Sequence, residues 1–209
     1  MIERRQRAFT IIELLVVMAV IIVLAGLILG TSSYVQKKGA RSRAKAEIAA
    51  MSAALESYKA DNGIYPRGNA ALSATTPFDT DKIDARRDGS PSKYASATLY
   101  LCQVLAGMTP AGTSNAQFKS YIAFKPNQLA RSDMSQPVSA SNPVTALRDP
   151  FGNSYGYSTA FWADSEANPS TAPSRGYNPT FDLWSTGGLM SDPPQSGVDT
   201  ITPQWIKNW

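Results

Sequence analysis

A chain of 209 residues has room for one membrane segment and one soluble domain of ordinary size. The absence of His removes His-based triads and His zinc sites, and a single Cys, Cys102, excludes an intrachain disulfide. The net charge is only +4, and half of it sits in residues 1–8, where Arg4, Arg5 and Arg7 face Glu3, so no nucleic-acid partner is demanded.

Residues 9–30, FTIIELLVVMAVIIVLAGLILG, contain no Pro, Lys or Arg and one acid, Glu13. As a helix they span ~33 Å at ~1.5 Å per residue, enough to cross a bilayer. A carboxylate drawn into hydrocarbon costs ~2.5 kcal/mol or more near mid-membrane. Glu13 can offset that by lying near the headgroups, by protonation, or by meeting a cation from outside the helix. The flank suggests one: Ala8 places a small residue before Phe9, and a cut between them would create an α-amino group one helical turn from Glu13. In a stack of such chains, Glu13 of one could pair with the Phe9 amine of the next. A cleaved secretory signal fits poorly, because its apolar run is ~7–15 residues and ends in an A-x-A-like site, and neither holds here.

Downstream, Ala44, Ile48, Met51, Leu55 and Tyr58 recur at the three- and four-residue spacing of an amphipathic helix. Asp61, Asn62 and Gly63, followed by Pro66, form a stop signal. The spacing predicts one helix from Thr10 to Asn62, with residues 9–30 as its membrane half and 31–62 as its amphipathic half. Lys37, Lys38, Arg41, Arg43 and Lys45 cluster just past the apolar run, suiting lipid headgroups or acids of neighbouring chains. By charge count alone this cluster outweighs the leader and favours the opposite orientation. The leader, Phe9 and Glu13 together are the more specific signal.

Residues 63–118 are poor in apolar pattern except for Ala95 to Leu105, a predicted short helix in which Cys102 is a small core residue. Residues 119–209 read as an antiparallel sheet with a C-terminal loop. Ser120 to Phe124 is a candidate strand. Asp149 to Asn153 is a turn leading into a strand with Tyr155 and Tyr157 on one face, and Thr180 to Ser185 alternates Phe181 and Leu183 with Asp182 and Trp184. Gly187 and Gly188 end that strand.

The basic leader followed by FTIIELLVV resembles the N-terminus of type IV prepilins and of the pseudopilins of type II secretion. The stretch Ala54 to Pro66 looks like a pseudopilin helix end. Asp149-Pro-Phe-Gly-Asn-x-Tyr-x-Tyr157, then Phe181-Asp-Leu-Trp-Ser-x-Gly187, then a loop ending in Asn208-Trp209 resembles the C-terminal sheet of the major pseudopilin. The resemblance covers roughly half the chain. It implies an α+β, pilin-like fold in which a long N-terminal helix packs on a small antiparallel sheet. It also implies cleavage between Ala8 and Phe9 by a prepilin peptidase, N-methylation of Phe9, and Glu13 as the assembly glutamate. Ala8 departs from the Gly that the family nearly always carries before the cut.

In the family, the loop after the last strand binds calcium through aspartates and backbone carbonyls. Here that loop offers Ser185, Asp192 and Asp199 as oxygen donors, although the usual acid after the first Gly is replaced by Gly188-Leu189-Met190. No Ser-x-x-Lys, Gly-x-Ser-x-Gly or P-loop pattern is present, so an enzyme is not expected. The expectation is a structural subunit of a type II secretion pseudopilus. It would be single-pass in the bacterial inner membrane, with its head in the periplasm and copies of itself, minor pseudopilins and the assembly platform as partners. The rivals are a type IV pilin for adhesion, motility or DNA uptake, and a tethered periplasmic binding protein or enzyme that never polymerises.

Overall fold

The structure, a computed structural model, describes residues 10–68, 79–189 and 205–209, the side chains of 27–33 excepted. By its internal contacts the chain divides into two compact units, Met1–Ala40 and Arg41–Trp209. Helix α1, Ile11–Asn62, contributes to both. In the first unit its large apolar side chains from Ile11 to Leu24 are all exposed, from 52% at Val17 to 88% at Ile11. Among the described residues no helix is long and apolar enough to cross a membrane. The apolar side chains described there run from 10 to 26, roughly 25 Å of helix against a hydrocarbon core of ~30 Å. Phe9 and the side chains of 27–30, which complete the expected span, lie outside the described ones.

In the second unit α1 carries the expected stripe: Ala44, Ile48, Met51 and Leu55 are buried, joined by Ala54, and Tyr58 is half-buried. Burying a side chain such as Leu55 completely contributes ~1.5–3 kcal/mol, so the stripe is what fastens this part of α1 to the sheet side chains Tyr157, Phe181 and Leu183. Asn62 ends the helix by donating its side-chain amide to the carbonyl of Tyr58, 2.8 Å away.

Helix α2, Pro91–Ala106, is longer than the predicted Ala95 to Leu105. Pro91 occupies the first turn, where its missing N–H costs nothing, and Gly107 closes the helix in the left-handed conformation at φ +63°. Cys102 lies buried within it, as expected, and burial pushes its thiol up to about 12.

The strands are short. Strand β1 (Leu129–Ala130) pairs antiparallel with β2 (Ala146–Leu147), and β3 (Gly156–Ser158), β4 (Asp182–Ser185) and β5 (Ile206–Lys207) form a second antiparallel sheet in that order. Helix α2 packs on β2 and β3. The turn at Asp149 to Asn153 is present, with Asp149 N–H donating to Asn153 O at 2.8 Å and Gly152 N–H to Asp149 O at 3.1 Å. Its two arms meet only at an isolated bridge between Arg148 and Ser154, and then part into different sheets.

Three expectations change. Ser120 to Phe124 is not a strand: the N–H groups of Tyr121 and Ile122 both donate to Leu105 O at the end of α2, so this backbone follows the helix terminus. Thr180 to Ser185 does not alternate between core and water, because Asp182, Leu183, Trp184 and Ser185 are all buried. The sheet is covered on both faces, Tyr94 of α2 meeting Trp184 edge-on at 5.2 Å. A third helix, α3 (Ala160–Ala167), lies between the stretches expected as strands, where no helix was expected.

Gly156 permits the closest approach in this sheet. A Cβ there would collide with the indole of Trp184 on the paired strand, so only glycine lets that ring lie across β3.

Candidate functional site

At the start of α1, Thr10 and Glu13 cap each other. The Glu13 Oε2 accepts from Thr10 N–H and Thr10 Oγ1, both at 2.9 Å, and Glu13 N–H donates to Thr10 Oγ1 at 3.3 Å. This is a capping box, which pairs N–H groups that the first helical turn leaves without intrahelical acceptors. The signal was available as Thr-x-x-Glu directly before an apolar run, and sequence reasoning passed over it. Glu13 therefore has a partner within one chain, and a chain that never polymerises does not leave it bare. Of the other N-terminal residues expected to act, Ala8 and Phe9 lie outside the described residues.

Beyond the apolar side chains, Lys37, Lys38, Arg41, Arg43 and Lys45 are all exposed. No acid occurs in residues 14–46, so the sequence passes from an apolar run to a cationic one without an intervening carboxylate.

The second unit is locked to α1 by polar contacts as well as by the stripe. Tyr155, immediately before β3, donates its hydroxyl to Glu47 Oε2 of α1 at 2.6 Å. Burial, then that carboxylate, push the phenol far above its ordinary range. Tyr157 donates to Pro66 O at 2.8 Å, tying the segment after α1 to β3. Asp61, at the helix end, takes Lys119 at 2.7 Å and the Tyr121 hydroxyl at 3.1 Å.

The Asp149 turn is the hub between the two sheets. Its Oδ1 accepts from Phe151 N–H at 3.0 Å and Asn153 N–H at 2.8 Å, and its Oδ2 accepts from Ser185 Oγ at 2.5 Å. Burial raises the Asp149 pKa while these donors oppose the shift. Ser185, one of the three residues expected to offer oxygen to calcium, is thus fully buried, and its hydroxyl also accepts from Gly187 N–H at 3.1 Å. Both of these bonds are made by its side-chain hydroxyl. Asp192 and Asp199, the other two, lie outside the described residues, and among the described residues no cluster of acids, Cys or His could hold a metal ion.

Strand β4 also bears Asp182, whose Oδ2 and Oδ1 accept from Tyr177 N–H at 2.9 Å and Asn178 N–H at 2.8 Å. Burial is the main cause that pushes its pKa up to about 6, helped by the nearby Asp84 carboxylate and opposed by Arg86. Two tryptophans pack here: Trp205 stacks on Trp184 at 5.8 Å, and Trp209 meets Trp184 edge-on at 6.2 Å.

Residues 4–29 match the prokaryotic N-terminal methylation motif. The chain is also 38% identical over 80 residues to the type II secretion system core protein G of Dickeya chrysanthemi, a match covering 36% of this chain and 52% of that one. It is 35% identical over 83 residues to the core protein G of Klebsiella pneumoniae (40% and 59%) and 34% identical over 89 residues to that of Aeromonas hydrophila (42% and 62%). The chain spans about half the length of the curated relatives it matches. No solved structure matches. The resemblance to prepilins, and to the major pseudopilin of type II secretion in particular, is borne out by the motif and by these relatives. The α+β, pilin-like fold is that of a long helix with small antiparallel sheets.

Proposed function

We propose that this chain is a structural subunit of a type II secretion pseudopilus and is not a catalyst. The observation that carries the reading is the first unit of α1: a continuous run of exposed apolar side chains beginning at a single capped carboxylate, inside the methylation motif. Exposed apolar area of this extent is stable only in lipid or against other apolar helices. The chain would use both in turn: residues 9–30 cross the inner membrane with the head in the periplasm, and after cleavage between Ala8 and Phe9 copies stack through the same surface. Glu13 then exchanges one partner, the Thr10 amide, for the stronger charge of a neighbour's methylated Phe9 amine, which sets register. Minor pseudopilins, the prepilin peptidase and an inner-membrane platform are the partners that such a cycle requires.

Intact-mass analysis of the chain from its native membrane tests processing, and electron microscopy of the assembled product tests polymerisation. Loss of residues 1–8 with one added methyl, together with filaments, is the expected result. A full-length mass, or a processed chain that stays monomeric on assembly, would overturn the reading.

Calcium, if it binds, must rely on Asp192, Asp199 and backbone carbonyls, since Ser185 is committed to Asp149. Chelation that leaves the thermal midpoint of the metal-loaded chain unchanged would remove calcium from the account.

A further inference from the structure

Within Arg41–Trp209 only three large apolar side chains among the described residues are exposed: Ile64 at 53%, Met134 at 38% and Trp162 at 36%. Two of them share one place. Ile64 and Trp162 line a cavity of about 190 Å³, together with Tyr65, Pro179 and the cations Lys59 and Arg67. The cavity is braced. Arg67 lies over the Trp162 ring at 3.6 Å and is held by Asp81 at 2.7 Å and Glu166 at 3.4 Å, which neutralise it. Lys59 lies over the Tyr65 ring at 4.6 Å and forms no ion pair among the described residues. Aromatic walls beside an arginine match the residue types enriched at protein-binding hot spots.

The third exposed apolar side chain, Met134, projects elsewhere, from a loop tied by several side-chain-to-backbone hydrogen bonds. Arg131 donates to four carbonyls around it: Nε to Gln136 O at 2.8 Å, Nη1 to Pro126 O at 2.8 Å and Leu129 O at 3.1 Å, and Nη2 to Met134 O at 3.0 Å. The buried Asn142 accepts from Asp133 N–H at 3.1 Å and donates to Asp133 O at 2.8 Å. Next to Met134 stands Asp133, exposed and without an ion pair among the described residues, its side chain oriented by Ser135 Oγ at 2.6 Å and Ser135 N–H at 2.9 Å. A loop that is ordered by this many bonds yet displays a methionine loses little entropy on docking.

The two features are complementary in polarity and charge: a largely apolar cavity whose lining includes the Lys59 ammonium, donating to the Tyr65 hydroxyl at 3.4 Å, and an apolar, unbranched side chain with the exposed Asp133 carboxylate beside it. We infer that the Asp133–Met134 loop of one copy seats in the Ile64–Trp162 cavity of the next, with Asp133 meeting Lys59. A contact between two different patches of the same chain is heterologous, and repetition of it gives an open helical array instead of a closed dimer. The inference rests on the filament reading and assigns the contact between heads, which the apolar half of α1 leaves undefined.

The test mixes two full-length chains, Met134→Cys and Ile64→Cys, in detergent and again after assembly, with a short bismaleimide as cross-linker. Cys102 is buried and its thiol is held protonated, so the unsubstituted chain serves as background. The expected result is a mixed dimer well above the yield of either variant alone. Asp133→Lys in the Met134→Cys chain should lower that yield by up to about fivefold, the worth of an exposed ion pair, and Lys59→Asp in its partner should restore it. Filaments without the mixed dimer overturn the inference and leave the filament reading standing. The mixed dimer in detergent without filaments supports the contact and overturns the filament reading. Neither product overturns both.

Discussion

Asp182 makes a prediction whose sign runs against the usual behaviour of carboxylates. Its pKa in the folded chain is pushed up from the ordinary 3.8 to about 6, because burial opposes ionisation more than the Tyr177 and Asn178 amides favour it. The folded state therefore holds this proton more tightly than the unfolded state does. The contribution is fully present below the unfolded pKa near 4 and is lost as pH rises through 6. Two pH units at ~1.4 kcal/mol each give roughly 3 kcal/mol of stability that the chain has at pH 4 and lacks at pH 7.5. Asp182→Asn isolates this, since the carboxamide keeps the size and one acceptor oxygen but cannot titrate. The wild type should gain on Asp182→Asn by roughly 3 kcal/mol between pH 7.5 and 4, whatever other carboxylates do to both proteins equally. Denaturant unfolding of the full chain in detergent, followed by tryptophan emission, to which Trp184 of β4 contributes, measures the difference at each pH. A difference between the two proteins that is constant with pH, or a wild type that gains on Asp182→Asn as pH rises, would refute the account.

Gly156→Ala should cost at least ~3 kcal/mol, because the methyl group and the Trp184 ring cannot share one place and the ring is fixed by Trp205; denaturant midpoints would show it. Tyr155→Phe removes the hydroxyl that meets Glu47 and should destabilise by about 1.5–3 kcal/mol, with Glu47→Gln in the same chain adding much less than its own single effect. Glu13→Gln keeps an oxygen for Thr10 and removes the charge, so monomer helix content by circular dichroism should hold while filament yield falls at least tenfold. Glu13→Ala should lose both, with a helix penalty of about 0.5–2 kcal/mol. Equal filament yields for Glu13→Gln and wild type would make the capping box the whole role of Glu13.

The long helix was legible along the chain because its cause is periodic and local: the Ala44 to Leu55 spacing, an uninterrupted apolar run, and a stop at Asn62 and Gly63. The same holds for the Asp149 turn and for the glycines after β4, where local backbone chemistry decides the shape. The N-terminal motif, too, is a property of consecutive residues, and the comparison at residues 4–29 depends on nothing else.

Tertiary structure decided whatever depends on partners far apart in sequence. Ser120 to Phe124 has the composition of a strand, but two of its amides are claimed by the end of α2. Asp182 and Trp184 alternate with Phe181 and Leu183 as if they faced water, and burial of both faces of β4 makes them core, which is also what moves the Asp182 pKa. Ser185 reads as a loop oxygen until Asp149, 36 residues earlier, takes its hydroxyl. The complementary pair of the Met134 loop and the Ile64–Trp162 cavity has no trace in any stretch of sequence. Hydrophobic spacing records which residues leave water, whereas what they meet on leaving it depends on contacts between distant segments, which no local pattern encodes.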